Sequence, residues 1–203
     1  MPRTAILLCL CGVSLVATQP LEGQRGRISH RRKQAEGPHR ISAGAYAGLG
    51  FTTAGQPTGS HSGVVGQIGI YGEYARHALR PGIDARLSGQ SFALPLPNIF
   101  SDGSDGDGTA TEKLIGPRLS YAKGIAHPYV EGLFGKGYQS NIEMPGNQNE
   151  FFANGIAKYA VGGIDFDADS HVQVRIEYAA GRISSPQSFL IQNFTVGTVF
   201  RFP

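Results

Sequence analysis

Ser60-His61-Ser62, at the end of the polar stretch TAGQPTGSHS, sets a hydroxyl beside an imidazole in one of the long connections of this chain. Nucleophilic catalysis by serine needs that pairing, plus a carboxylate to orient the histidine. No acid accompanies the pair, so the three residues read as a polar loop. His77, His127 and His171 fall in three other connections, near Arg76, Arg80 and Asp169. Imidazole is a common zinc ligand, but a site needs several ligands that converge. These histidines read as turn residues. Asp102, Asp105 and Asp107 in SDGSDGDG cluster as hard cations prefer, yet counting from Asp105 the closing glutamate of a calcium loop is replaced by Gly116. The glycines at 132, 135 and 137 around Lys136 lack the Gly-Lys-Ser/Thr that opens a phosphate-binding helix. The sequence thus offers no catalytic residue, no metal site and no cofactor site, and the chain reads as a non-enzyme.

Composition limits what could position any of these groups. Charged residues make up 16% of the chain, against roughly 25% in soluble domains. There are 29 glycines and no tryptophan, a composition of strands and tight turns. Residues 5–17 form a mostly apolar run behind Arg3, which reads as a secretory signal peptide over 1–23 with cleavage between 18 and 24. Beyond it, no stretch approaches the about 20 apolar residues that a membrane helix needs. Cys9 and Cys11 both lie in the signal, so the exported chain is expected to have no disulfide or thiolate chemistry. Residues 24–40, with RGRISHRRKQAEGPHR, hold six basic residues against Glu36 and no apolar period; they read as a flexible basic arm. Export removes nucleic acid from its partners. Residues 41–203 carry eleven Lys/Arg against thirteen Asp/Glu and form the folded domain.

That domain reads as eight alternating segments, 41–52, 63–76, 82–92, 111–122, 127–137, 151–165, 171–182 and 189–202. The seventh of these, 171–182, shows the clearest alternation: Val172, Val174, Ile176, Tyr178 and Ala180 share one face, and His171, Gln173, Arg175, Glu177 and Ala179 the other. The connections alternate in length. Long ones cover 53–62, 93–110 and 138–150, while HALRP, KGIA and FDADS are short. Outer-membrane barrels have long outer loops and short periplasmic turns, and an even strand count puts both termini on the short side.

Alternation alone does not say which face is inside. The polar face carries Glu73, Asp84, Arg86, Arg118, Glu131, Asp165, Arg175, Glu177 and Arg201. Both signs occur in near balance, among glycines and tyrosines, as suits a narrow lumen where an unpaired charge is costly. The apolar face ends in aromatics: Phe51, Phe134 and Tyr178 toward the long loops, Tyr74, Tyr121 and Phe166 toward the short turns. These describe two girdles flanking a lipid-facing band. Phe92 has the wrong parity for either girdle. The closing strand QNFTVGTVFRFP puts Phe194, Val196, Phe200 and Phe202 on the apolar face, interrupted by Gln192 and Thr198. The expected architecture is all-β, an antiparallel up-and-down transmembrane barrel of about eight strands.

On these features, and on PYVEGLFGKGY, GGIDFDADSHVQVRIEY and the terminal FTVGTVFRF, residues 41–203 resemble the small eight-stranded outer-membrane barrels of the OmpA/OmpX type. The resemblance implies a bacterial outer-membrane location with lipid as partner. It also implies an assembly signal, read by the barrel-inserting machinery, in Phe194, Val196, Phe200 and Phe202. A barrel of this size is filled by side chains. The expected role is structural, adhesive or surface-binding, with an extracellular ligand meeting the loops 53–62, 93–110 and 138–150. Two other readings stand beside it. One is a lipid-modifying enzyme on the same fold, such as a lipid A deacylase; that family keeps His-x-Ser late in the barrel, whereas here His171 is followed by Val172 and Gln173. The other is a soluble secreted barrel that binds a ligand.

Overall fold

The computed structural model describes residues 41–56, 59–75, 77–92, 108–122, 124–140, 153–184 and 189–202. Eight strands run in chain order: β1 (Ile41–Gln56), β2 (Gly59–Tyr74), β3 (Leu79–Ser91), β4 (Thr109–Tyr121), β5 (Ala126–Ser140), β6 (Ala153–Asp167), β7 (Val172–Ser184) and β8 (Phe189–Phe202). Each pairs antiparallel with the next, and β1 pairs with β8 from Ala43↔Phe202 to Gly55↔Leu190, so the sheet closes into a barrel. Closure satisfies the backbone hydrogen bonds that an open edge would leave unmet in lipid. The signal peptide 1–23 and the arm 24–40 lie outside the described residues.

The side-chain period is strict. Along β4, exposed and buried residues alternate from Thr109 to Tyr121 without a break. Glu112, Arg118 and Ser120 face in, while Ile115, Pro117 and Leu119 face out. This inverts a soluble barrel. Ile68, Ile70 and Ile83 are 57%, 63% and 60% exposed, while Asp84 and Glu112 are each 0%. A continuous apolar wall of this extent is not left to water in a soluble monomer.

Six strands are longer than the alternation alone indicated. The excess lies at the loop end in β1, β2, β4, β7 and most of β5, and at the short-turn end in β3, while β8 keeps its bounds and β6 is shifted by two residues. β1 and β2 have 16 residues each; at a rise of about 3.3 Å and a tilt of about 40° each reaches roughly 40 Å, beyond the about 25 Å apolar band of a barrel. The stretch 53–62 is therefore not a long loop. Thr53 pairs with Ser62, Ala54 with His61, Gly55 with Ser60 and Gln56 with Gly59, which makes it the top of a β1–β2 hairpin. Its polar composition suggested a loop because polar residues on both faces are allowed once a strand leaves the bilayer. The loops 93–110 and 138–150 shorten for the same reason. Thr109 and Ala110 belong to β4, and Tyr138, Gln139 and Ser140 to β5. Phe92 N–H donates to Gly108 C=O at 2.8 Å below the first of them. Residues 93–107, with Asp102, Asp105 and Asp107, and residues 141–152 lie outside the described residues.

At the other end the turns are tight. Gly124, between β4 and β5, has φ 81°, a left-handed conformation that a side chain resists. Inside the barrel, glycine serves clearance instead. A Cβ at Gly163 would lie 2.5 Å from the Tyr129 ring, and one at Gly44 2.6 Å from the Tyr71 ring. Gly162, the next residue, has open space where its Cβ would be. We expect Gly163→Ala to lower the unfolding free energy of the folded barrel by about 1–3 kcal/mol, and Gly162→Ala to leave it nearly unchanged. Urea titration followed by gel migration of unheated samples checks this pair.

Candidate functional site in the barrel interior and on its outer wall

The interior is built in layers. Toward the short turns, three guanidinium groups sit among carboxylates contributed by five strands. Arg86 Nε donates to Asp84 Oδ1 at 3.1 Å, its Nη1 to Glu177 Oε1 at 2.6 Å, and its Nη2 to Glu131. Arg118 Nε donates to Glu73 Oε1 at 2.7 Å, its Nη2 to Asp165 Oδ2 at 2.9 Å, and its Nη1 to Glu131. Arg175 grips both oxygens of Asp165, at 2.8 and 2.9 Å. Three tyrosines pack between them. Arg118 lies 3.7 Å above the Tyr129 ring and Arg175 4.0 Å above Tyr46. The phenols then bind the acids, Tyr46 to Asp84 at 2.8 Å and Tyr129 to Glu177 at 2.6 Å. Gln67 Nε2 bridges Glu177 and Thr195, both at 3.0 Å.

Burying a charge costs several kcal/mol unless opposite charge and hydrogen bonds compensate. Here Arg86 and Arg118 each meet three carboxylates, Arg175 holds both oxygens of one, Asp165, and Glu131 is shared by two arginines. The stacked tyrosines add cation–π attraction. The lumen residues named from sequence therefore separate into two groups. Glu73, Asp84, Arg86, Arg118, Glu131, Asp165, Arg175 and Glu177 form one connected network. Arg201 does not join it. Its side chain is 25% exposed, at the short-turn end, with Asp167 at 3.7 Å. Asp167 also accepts from Gln173 at 2.6 Å and lies 2.9 Å from His127 Nε2.

Several interior residues escaped the sequence reading. Glu112 is fully buried, bound by Ser88 at 2.8 Å and by the Tyr159 hydroxyl. It shares the parity of Arg118, which was the available signal. The network holds five carboxylates to three arginines, and Glu112 is a sixth buried acid outside it, in place of the near balance expected. Above the charges, toward the loop end, the lumen becomes largely apolar: Ala54, Phe92, Ala110, Leu114, Leu133, Ala157, Ile183 and Ile191 are all buried, beside the uncharged polar Thr52, Gln90, Gln139 and Asn193. Phe92 is one of these plug residues, which accounts for a parity that fitted neither girdle.

The outer wall reverses at the same height. Phe51, Phe194 and Tyr178 lie side by side across β1, β8 and β7, through the pairs Phe51↔Phe194 and Tyr178↔Phe194. Phe134 is exposed on β5, and Tyr74, Tyr121, Phe166, Phe200 and Phe202 lie at the short-turn ends of their strands, with Phe166 only half-exposed. Beyond the upper row the outward residues become polar, with Thr111, Lys113, Asn154 and Gln192 exposed. Gln192 accepts from the Tyr178 hydroxyl at 3.1 Å. Thr198 stays inside the band, paired with Ala47 and Val174.

Of the catalytic and metal candidates, Ser60, His61 and Ser62 lie in β2 rather than in a loop. His77 and His171 sit exposed on separate turns, His171 beside Ser170 Oγ at 2.8 Å. Among the described residues no three His, Cys, Asp or Glu side chains come together as a metal site would require.

No family model and no curated protein matches the sequence. Solved structures do match the fold. The Neisserial surface protein A (NspA) barrel superposes with a TM-score of 0.59 over 80% of this chain and 97% of its own, at 14% identity. Ail, the attachment invasion locus protein of Yersinia pestis, gives 0.54 over 79% and 98%, at 12% identity. A second Ail structure, in complex with the heparin analogue sucrose octasulfate, gives 0.51 over 80% and 99%, also at 12%. The fold is that of the small bacterial outer-membrane barrels, and the apolar wall of this chain is the surface that such a barrel turns to lipid. The bacterial outer membrane is where this barrel resides.

Arg118 and Arg201 give a paired prediction. Arg118→Ala leaves Glu73, Glu131 and Asp165 short of a cation and should destabilise the folded barrel by about 3–5 kcal/mol. Arg201→Ala, at the half-exposed end, should cost under about 1 kcal/mol. Equilibrium unfolding in detergent micelles measures both.

Proposed function

We propose that this barrel is a non-enzymatic outer-membrane protein with a structural, adhesive or surface-binding role. The observation that carries the reading is the filled lumen. The arginine–carboxylate network occupies one half, and buried residues from Ala54 to Ile191, mostly apolar, line the other, a filling that supports a closed barrel rather than an open pore. The same network argues against chemistry in the interior, because its acids are held by arginines or hydroxyls rather than left to exchange protons with a substrate.

A partner would then meet the loop end, at the β1–β2 hairpin top over 53–62 and at the loops 93–110 and 138–150. The two loops carry Asp102, Asp105, Asp107, Glu143 and Glu150, and no Lys or Arg. By charge they suit a cationic partner. Ail, by contrast, has been solved with a sulfated sugar analogue, so a shared fold does not carry a shared ligand. Phe194, Val196, Phe200 and Phe202 are all about half-exposed on the outer face of β8, the arrangement in which the assembly machinery would read them.

Lipid A incubated with the folded barrel in liposomes tests the non-enzymatic reading. Mass spectrometry should find its acyl chains intact, and equally so with a His61→Ala/Ser62→Ala variant. Deacylation by the wild type that is lost in this variant would make the barrel an enzyme.

A further inference from the structure

The charges on this barrel are sorted by face. Among the described residues, every strand carboxylate points inward, as do Arg80, Arg86, Arg118, Arg175 and Arg201. The cations that point outward are Lys113 on β4, Lys136 on β5, Lys158 on β6 and Arg182 on β7, all exposed. They are neighbours. Lys113 is directly opposite Lys136. Lys136 is opposite Ile156, one outward position from Lys158, and Lys158 is directly opposite Arg182. Direct partners hold their Cβ atoms about 5 Å apart and diagonal ones about 7 Å. Four cations therefore form one stripe across four consecutive strands, and none has an acid to pair with among the described residues.

Like charges directly opposite each other destabilise a strand pair, and this barrel does it twice in one row. The other strands place no charge at that height: β8 shows Leu190 and Gln192, β1 Phe51 and Thr53, β3 Leu87 and Gly89. The stripe also marks a boundary. Below it on the same strands lie Ile115 and Pro117 on β4, Phe134 and Val130 on β5, Ile164 on β6 beyond Ala160 and Gly162, and Tyr178 and Ile176 on β7 beyond Ala180. Above it lie Thr111, Tyr138, Ile156 followed by Asn154, and Ser184.

We propose that Lys113, Lys136, Lys158 and Arg182 form a docking site for a phosphorylated lipid of the leaflet at the loop end. Phosphate oxygens would bind the ammonium and guanidinium groups, and acyl chains would lie on the apolar wall beneath. Charge complementarity supplies the headgroup, and continuity of the stripe with the apolar wall makes the occupant a lipid rather than a free anion. Phosphate binding also removes the repulsion within the two like-charged pairs. The site rests on the membrane placement above.

The test uses the folded full chain in phosphatidylcholine micelles, with lipid A added and retained lipid read by native mass spectrometry. The wild type should retain lipid A and release it as salt rises. The variant K113Q/K136Q/K158Q/R182Q should bind at least about tenfold more weakly, while K113R/K136R/K158R should match the wild type. Equal retention of lipid A stripped of its phosphates, or by the quadruple variant, overturns the proposal. So does displacement by millimolar inorganic phosphate, which would make the stripe a site for the free anion. Migration of unheated samples shows that each variant is folded. Recovery of the wild type in the soluble fraction would instead overturn the membrane placement.

Discussion

Three guanidinium groups taken out of water set the terms for the rest of this structure. Arg86, Arg118 and Arg175 are each nearly inaccessible to solvent, a condition tolerable only because carboxylates from several strands converge on them. That convergence fixes the inward parity of β2 through β7. It demands tyrosines long enough to reach acids two strands away, and glycines at Gly44 and Gly163 to make room for their rings. Once the polar face is turned in, the apolar face has to turn out. A chain that hides its charges this way leaves Ile68, Ile70 and Ile83 on the outside, and only lipid makes that surface favourable.

Much of this is legible in the residue pattern, because a period of two is an unambiguous signal when charge and apolar residues alternate as they do in β7. Arg175 and Glu177 against Val174 and Ile176 fix both strand and face. Polar tyrosines in an otherwise glycine-rich row point to an interior with space to fill. The fold likeness to NspA and Ail agrees with that reading at 12–14% identity, where residue pattern rather than residue identity is what persists.

The parts that were not legible share one cause. A strand that outruns the bilayer loses its polarity rule, since water then lies on its outside and packing on its inside. The stretch 53–62 reads as a loop for that reason, although Thr53–Gln56 pair with Gly59–Ser62. Ile183 and Ile191, apolar yet inward, and Phe92 with its odd parity belong to a plug that a single lipid-facing assignment has no place for. Glu112 was available from parity but lies next to Lys113, which faces out; adjacent opposite charges resemble a solvated stretch unless the strand period is held fixed. The chemistry of the loops is a different matter, since composition states their charge and nothing about their shape.

The central claim is that the apolar face meets lipid and the polar face is packed shut. Both cysteines lie at positions 9 and 11, so single cysteines placed along β7 can carry a spin label in membrane-embedded protein. Labels at Val174→Cys, Ile176→Cys and Tyr178→Cys should relax with dissolved oxygen, which concentrates in the bilayer, and ignore a water-soluble nickel complex. Gln173→Cys and Ala179→Cys should respond weakly to both. Strong nickel relaxation at 174 and 176 would place that face in water and contradict the account.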